Sequence, residues 1–134
     1  MVYFFVGISG ILGAILRYEM GKWLVWPDGT LFPASTFIVN LSGCFILAFF
    51  YTAIATRFTV HPYFRTAFGT GLIGSFTTFS TFCKESFELM REGHWVTAIA
   101  YMLFSLIGGY LCAYAGVKLG TFKRKAAAEQ EGGA

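Results

Sequence analysis

The chain has 134 residues, of which 56% are hydrophobic and only 13% are charged, with a formal net charge of +3. Ordinary soluble domains contain about 25% charged residues, so this composition excludes a typical water-soluble domain and indicates a membrane protein. The three cysteines are isolated and lie in or beside apolar stretches, which argues against a disulfide framework or a metal-binding cysteine cluster.

Four apolar segments are each long enough to cross a bilayer, which requires about 20 residues. They cover residues 2–24, 31–56, 66–83 and 95–117, and the apolar pattern of the third continues to residue 90. Pro27, Pro33 and Pro62 fall between segments, as do the turn signal Asp28-Gly29 and a helix stop at residues 91–93. We therefore predict an all-α membrane protein with four transmembrane helices and no soluble domain.

The charges around these segments give a weak orientation signal. Six basic residues lie on the side of the chain termini, and four lie on the other side: Arg57, Arg65, Lys118, Lys123, Arg124 and Lys125, against Arg17, Lys22, Lys84 and Arg91. The tail, residues 121–134, is basic and then acidic and glycine-rich, which favours cytoplasmic termini. We expect this tail to contact lipid headgroups, not nucleic acid, and residues 1–120 to form the membrane domain.

Small residues recur on helix faces in three of the segments. They are Gly7, Gly10 and Ala14 in the first, Gly69, Gly71 and Gly74 in the third, and Gly109, Ala113, Gly116 and Gly120 in the fourth. Such faces allow close helix contacts in membranes. Four helices cannot bury all of them and also enclose a pore, so the pattern predicts an oligomer, most simply a two-fold dimer.

The third segment combines glycines with hydroxyl and phenyl side chains. Its three glycines allow a helix to stop and restart, and a break is tolerated in lipid where the freed backbone groups are buried or line a wet cavity. Phe79 and Phe82 share one helix face, and Thr78 and Thr81 share the adjacent one. Hydroxyls and ring edges could hold a small anion, although tight helix packing is the more common use of such residues.

Three further polar residues lie inside the apolar segments: Asn40 in the second, and Tyr101 and Ser105 one helical turn apart in the fourth. A buried amide in lipid marks either a functional site or a hydrogen bond between helices. His61 and His94 are far apart, and no nucleophile–histidine–acid set or phosphate-binding loop is visible, so we do not expect an enzyme.

Three motifs resemble the Fluc/CrcB family of bacterial fluoride channels over almost the whole chain. They are Gly13-Ala-Ile-Leu-Arg17 (GAxxR), Thr36-Phe-Ile-Val-Asn40-Leu-Ser-Gly43 (TxxVNxxG) and Gly71-Leu-Ile-Gly74-Ser-Phe-Thr77-Thr-Phe-Ser-Thr-Phe82 (GxxGxxTTFSTF). The third motif is the most specific. The resemblance implies a fluoride-selective channel of the bacterial inner membrane that gives passive fluoride efflux, assembled as an antiparallel, dual-topology homodimer with a broken third helix.

The resemblance also implies roles for particular residues. It places a structural sodium ion on the main-chain carbonyls of Gly74 and Thr77, an arginine in the vestibule at Arg17, and an acid after the signature at Glu85. The fluoride pathway it implies contains Asn40, Phe79, Ser80, Thr81, Phe82, Tyr101 and Ser105. The chain departs from relatives at Gly109, where some have serine, at Ser75, which is often glycine, and at Lys84, which adds a charge. Pairing with a paralogous chain, or a fixed orientation, stays open.

A small multidrug exporter with four spans and dual topology is the alternative. Such an exporter needs a membrane-embedded carboxylate in its first span to exchange protons for cationic drugs. Glu19 is the only acid there, and Arg17 and Lys22 are close to it in sequence. We therefore expect Glu19 to lie at the membrane surface, which favours the fluoride channel.

Overall fold

The computed structural model describes residues 1–24, 31–56 and 59–131, with side chains described as far as Thr121. The predicted turn around Asp28-Gly29, Pro27 and Arg57 lie outside the described residues, as do the side chains of the basic tail. All of the regular structure in the described ranges is helical. The elements are α1 (Val2–Trp23), α2 (Ala34–Thr56), α3 (Pro62–Thr66), a π-helical segment (Ala67–Ile73), α4 (Gly74–Phe76), α5 (Phe79–Arg91) and α6 (Trp95–Glu131).

Three single helices in the described ranges are long and apolar enough to cross a membrane. They are α1, α2 and the Trp95–Thr121 part of α6. The third predicted segment is divided between α3, the π-helical segment, α4 and α5. The chain is therefore an all-helical, multi-pass membrane protein in which one of the predicted spans is not a continuous helix.

The helix ends follow the proline and glycine signals. Pro62 opens α3, and the Nδ1 atom of His61 accepts a hydrogen bond from the Tyr63 amide at 3.3 Å. α5 ends at Arg91, and Gly93 adopts a φ of 85°, a left-handed conformation that glycine tolerates without steric cost. The His94 amide then donates to the Leu89 carbonyl at 2.8 Å, so the chain reverses sharply before α6.

α2 packs along α6, and small residues allow the close approach. A methyl group at Gly116 would stand 2.6 Å from the Phe45 carbonyl oxygen, and one at Gly120 would stand 2.7 Å from the Thr52 side chain. These distances are shorter than van der Waals contact. The glycine face of α6 is therefore occupied within the chain.

The π-helical segment and α4 pack against α1 in the same way. A methyl group at Gly13 would overlap the Leu72 carbonyl oxygen, and one at Gly71 would overlap the Ser9 hydroxyl. Several of the small residues behind the oligomer prediction are therefore already used in contacts inside the chain and do not by themselves indicate an oligomer, which stays a prediction. Gly7 alone of the predicted α1 glycines has nothing within 4 Å.

Large apolar side chains cover the outside of α1 and α6, as expected for helices that face lipid. The enclosed core is small and lies where α5 meets α6: Leu89, Ala98 and Tyr101 are buried there. Four partly buried side chains surround it: Phe32, Phe37, Phe82 and Met90. This core fixes α5 against α6.

Candidate ion pathway

A break interrupts the helical backbone at Thr77 and Thr78. Thr77 has φ −78° and ψ 158°, and Thr78 has φ −144° and ψ 118°, so both residues are extended between α4 and α5. The Thr77 amide still donates to the Ile73 carbonyl at 3.0 Å, and its hydroxyl donates to the same oxygen at 3.0 Å. The third predicted segment thus stops and restarts after its glycines.

Asn40 of α2 holds this break from the neighbouring helix. Its Oδ1 accepts a hydrogen bond from the Thr78 amide at 2.8 Å, and its Nδ2 donates to the Thr78 carbonyl at 3.0 Å. The side-chain amide therefore replaces both backbone partners that Thr78 lost on leaving the helix. Sequence alone left open a pathway role or a hydrogen bond between segments for Asn40. The second is present, and among the described residues the other Nδ2 hydrogen has no acceptor.

Hydroxyl groups cluster at the start of α5. Thr78 caps this helix: its Oγ1 accepts from the Thr81 amide at 3.2 Å and donates to Thr81 Oγ1 at 2.8 Å. Ser80 Oγ lies 3.4 Å from the same Thr78 oxygen. Two residues predicted for the pathway, Ser80 and Thr81, therefore meet around Thr78, which the sequence placed on one helix face with Thr81 but which was not among the implied pathway residues. An N-cap threonine before the phenylalanine-rich helix was the available signal.

Two cavities flank the break. The first, which we call the break cavity, has a volume of about 270 Å³. Its lining is Asn40, Gly43, Cys44, Leu47, Gly69, Ile73, Gly74, Thr77, Thr78 and Phe79. The second, the arginine cavity, has a volume of about 380 Å³ and is lined by Ala14, Arg17, Tyr18, Gly21, Ser35, Thr36, Val39, Thr78 and Thr81. Thr78 borders both, so the extended backbone lies between them.

Arg17 is the basic side chain of the arginine cavity. Within the described part of the chain its guanidinium forms no salt bridge, whereas the nearby Glu19 carboxylate pairs with Lys22 at 3.4 Å. An unpaired cation beside threonine hydroxyls makes this cavity attractive to a small anion. The predicted residues Arg17 and Thr81 are thus brought together.

The two carbonyls predicted to hold sodium have lost their usual helical donors. In a helix the Gly74 carbonyl would accept from the amide of residue 78, but that amide donates to Asn40. The Thr77 carbonyl would accept from the amide of residue 81, which donates to Thr78 Oγ1. Both residues line the break cavity, and main-chain oxygens are suitable ligands for a hard cation. These carbonyl oxygens are therefore suitable ligands for the expected sodium ion.

Glu85 binds two hydroxyl groups beside the arginine cavity. Thr36 Oγ1 donates to one carboxylate oxygen at 2.8 Å, and the Tyr101 hydroxyl donates to the other at 2.9 Å. Tyr101 is completely buried, and its single hydroxyl hydrogen is directed at Glu85. The predicted pathway donor Tyr101 is therefore committed to a carboxylate. Thr36, four residues before Asn40 on α2, was not predicted as a site residue.

The phenyl rings form a short series that runs from the break to Tyr101. The centroids of Phe79 and Phe82 are 5.9 Å apart, and those of Phe82 and Tyr101 are 5.1 Å apart. Phe79 is 77% exposed and borders the break cavity, whereas Phe82 packs against the core. Ser105, half-buried on α6 one turn after Tyr101, lines neither cavity.

The fold and this site together define the class of the protein: a small, multi-pass helical membrane protein built around a broken helix. Residues 4–117 match the family described as "CrcB-like protein, Camphor Resistance (CrcB)". The chain belongs to this family.

Proteins named as fluoride channels are similar to it over most of their length. The "Fluoride-specific ion channel FluC" of Chloroflexus aurantiacus is 44% identical over 115 residues, which are 86% of this chain and 91% of that one. The "Fluoride-specific ion channel FluC 1" of Bacillus cereus is 43% identical over 122 residues, covering 91% and 89%. The "Fluoride-specific ion channel FluC 2" of Listeria innocua is 46% identical over 109 residues, covering 81% and 82%.

Proposed function

We propose that this protein is a fluoride-selective ion channel that lets fluoride leave the cell passively and so lowers its toxicity. The observation that carries the proposal is the break at Thr77 and Thr78, surrounded by uncharged donors and one unpaired arginine. Relatives named as fluoride-specific ion channels support the choice of ion. The relatives' names describe ion channels, and the protein is not an enzyme.

Fluoride is small and strongly hydrated, so a narrow pore must replace its water with many donors. Arg17 would attract the anion into the arginine cavity. The Thr81 and Ser80 hydroxyls and the edges of Phe79 and Phe82 would then take the place of hydration. These groups carry no full charge, so they bind fluoride without trapping it, and a narrow passage disfavours the larger chloride.

The membrane potential supplies the driving force. A negative interior drives an anion outward with about 2.3 kcal/mol per elementary charge for each 100 mV. No coupling to protons or ATP is required. We place the channel in the bacterial plasma membrane.

The working unit in this proposal is an antiparallel homodimer. Residues 1–120 form the channel domain with four membrane-crossing segments, and residues 121–134 form a tail at the lipid headgroups. The carbonyls of Gly74 and Thr77 would hold a sodium ion at the dimer centre, where the ion supplies positive charge to oxygens without helical donors. The exposure of Phe79 and the weak charge bias support an inverted partner.

The exporter alternative lacks its central group. Glu19, the one acid of α1, is paired with Lys22, and both side chains are about half exposed, at 47% and 57%. A carboxylate neutralised by a neighbouring lysine is poorly suited to be the proton carrier that a drug–proton exchanger needs.

Reconstitution of the full-length protein in liposomes tests the proposal. Vesicles should be loaded with fluoride, chloride or a cationic dye, and efflux should be followed after an ionophore removes the potential. We expect rapid fluoride efflux, with chloride and dye retained as in protein-free vesicles. Chloride efflux at a comparable rate would contradict fluoride selectivity, and dye movement driven by a proton gradient would favour the exporter.

A further inference from the structure

Two of the three cysteines lie in the same contact between α2 and α6. Close contacts fix the register of these helices: Gly108 lies beside Leu41, and Gly116 lies beside Phe45 and Ala48. Cys112 stands four residues after Gly108 and four before Gly116, so it shares their face of α6. On α2, Cys44 lies between Leu41 and Ala48, at the level that faces Cys112.

The positions of the two thiols agree with this register. The Cys44 Sγ atom lies 3.6 Å from the position that a Cβ at Gly109 would take. Gly109 and Cys112 are i, i+3 neighbours, whose Cβ positions are about 5–6 Å apart. Both thiols are free and half-buried. The third cysteine, Cys83, is exposed on α5 and takes no part in this contact.

Sulfur ligands select soft cations. The described residues contain no cluster of three or more histidine, cysteine or acidic side chains, so a four-coordinate zinc site is not available here. We propose that Cys44 and Cys112 form a two-thiol site between α2 and α6 that binds a soft, thiophilic cation of low coordination number, such as Hg²⁺ or Cu⁺.

Binding exchanges protons for the metal without any redox step. Each S–H bond loses its proton to solvent, two sulfur–metal bonds form, and no electrons are transferred. Cys44 borders the break cavity, which gives the cation a route to the site. The proposal does not depend on which ion the protein conducts.

Mercuric ion is a suitable probe, and Cys83 provides a matched control. The Cys83→Ser protein, with only Cys44 and Cys112, should be loaded with HgCl₂, challenged with excess 2-mercaptoethanol, and analysed for bound mercury and for alkylatable thiols. We expect one retained mercury for every two protected thiols. The double variants Cys83→Ser/Cys44→Ser and Cys83→Ser/Cys112→Ser should lose the metal in the challenge, because a single thiol cannot chelate it.

Equal retention by the double variants would overturn the proposal, as would one mercury for each thiol in the Cys83→Ser protein. Retention of one mercury per two chains after loss of Cys112 would also overturn it, because Cys44 would then pair with a second copy. Size-exclusion chromatography and circular dichroism of every variant show that the comparison is made on folded protein. Serine is close in size to cysteine, so these variants should fold.

Discussion

At the scale of single residues, the structure assigns donors that the sequence could only count. Asn40 uses its amide to complete the backbone of Thr78, and Tyr101 uses its hydroxyl hydrogen on Glu85. Asn40 keeps one N–H without an acceptor among the described residues, whereas Tyr101 has no second hydrogen. Asn40 can therefore both support the break and face an ion, but Tyr101 can donate to fluoride only by leaving Glu85.

The substitution Asn40→Asp changes both of these roles, and its effects on the ion and on the break are measured separately. It keeps the acceptor for the Thr78 amide but sets a carboxylate oxygen against the Thr78 carbonyl, 3.0 Å from the present nitrogen. We expect fluoride efflux to be abolished, because the new charge repels the anion, and stability to fall by about 1–3 kcal/mol. Efflux from liposomes and thermal unfolding measure the two effects.

Ser42→Ala is the control for Asn40→Asp, since among the described residues the Ser42 hydroxyl bonds only the Val39 carbonyl of its own helix, at 2.8 Å. It should conduct normally. Near-parental efflux from folded Asn40→Asp dimers would remove Asn40 from the pathway and leave it as a support for the break alone.

Phe82→Ile tests the role of the aromatic ring. Isoleucine keeps apolar bulk but has no positive ring edge, so efflux should fall strongly while the fold is retained. Phe87→Ile is the matched control, because Phe87 is on the same helix but exposed. If both variants conduct equally well in liposomes, the Phe82 ring serves packing against Tyr101 and not the ion.

At the scale of elements, α1 and the segment before the break are joined at the level of backbone atoms. Gly13 lies against the Leu72 carbonyl, and a Cβ atom at Gly13 would stand 3.1 Å from the Phe76 amide nitrogen. The Ser9 hydroxyl lies 2.8 Å from the Ala67 carbonyl, at the start of the π-helical segment. These contacts fix where the helix breaks relative to α1, and they therefore fix the position of the carbonyls of Gly74 and Thr77.

Gly13→Ala and Gly7→Ala form a matched pair within α1. The first methyl group meets backbone atoms that cannot move independently, so overpacking should cost about 1–3 kcal/mol and reduce efflux. The second meets nothing within 4 Å, and alanine favours the helix by about 0.5–1 kcal/mol. Thermal unfolding in detergent compares them. Equal stability of the two variants would contradict the close approach of α1 to Leu72.

Sodium removal tests the break itself. The Gly74 and Thr77 carbonyls lack helical donors, so a bound cation should stabilise them. Replacing sodium by potassium or N-methylglucamine should weaken dimerisation or slow efflux, and sodium should restore both. Unchanged dimer content and efflux after exhaustive dialysis would mean that other hydrogen bonds satisfy these carbonyls.

At the scale of the whole molecule, one chain leaves part of its site open. Phe79 is mostly exposed beside the break cavity, although the α6 glycines are already covered by α2. The case for a partner therefore rests on the ring and cavity at the break, not on the small residues. A two-fold axis in the membrane plane would bring two breaks together with opposite polarity.

Inverted insertion can be measured in intact cells. In a chain without its three native cysteines, part of a C-terminal cysteine tag should react with impermeant maleimide in intact cells, and the rest only after the membrane is permeabilised. The basic tail biases the orientation, so the two fractions need not be equal. Labelling from one side only would contradict the antiparallel homodimer. A singly oriented membrane protein provides the control for leakage.

The sequence alone was enough to predict the membrane class, the helices and most of their ends. Apolar length, prolines and glycines act locally, so Pro62 and Gly93 mark helix ends without reference to the rest of the chain. It also predicted the region of the break, since glycines followed by hydroxyl residues weaken one helix at one place. The motif from Gly71 to Phe82 was the most specific indication of the family.

The fold was needed to show which polar groups are already bound and which small residues are already covered. Asn40 and Thr78 are 38 residues apart in the chain, and Glu85 binds Thr36 of another helix. A sequence shows that a donor exists but not which acceptor the fold places beside it. That acceptor decides whether a buried polar group is paired, and therefore how much free energy its burial costs. For the same reason, the α6 glycines cannot by themselves indicate an oligomer, because α2 of the same chain packs against Gly116 and Gly120.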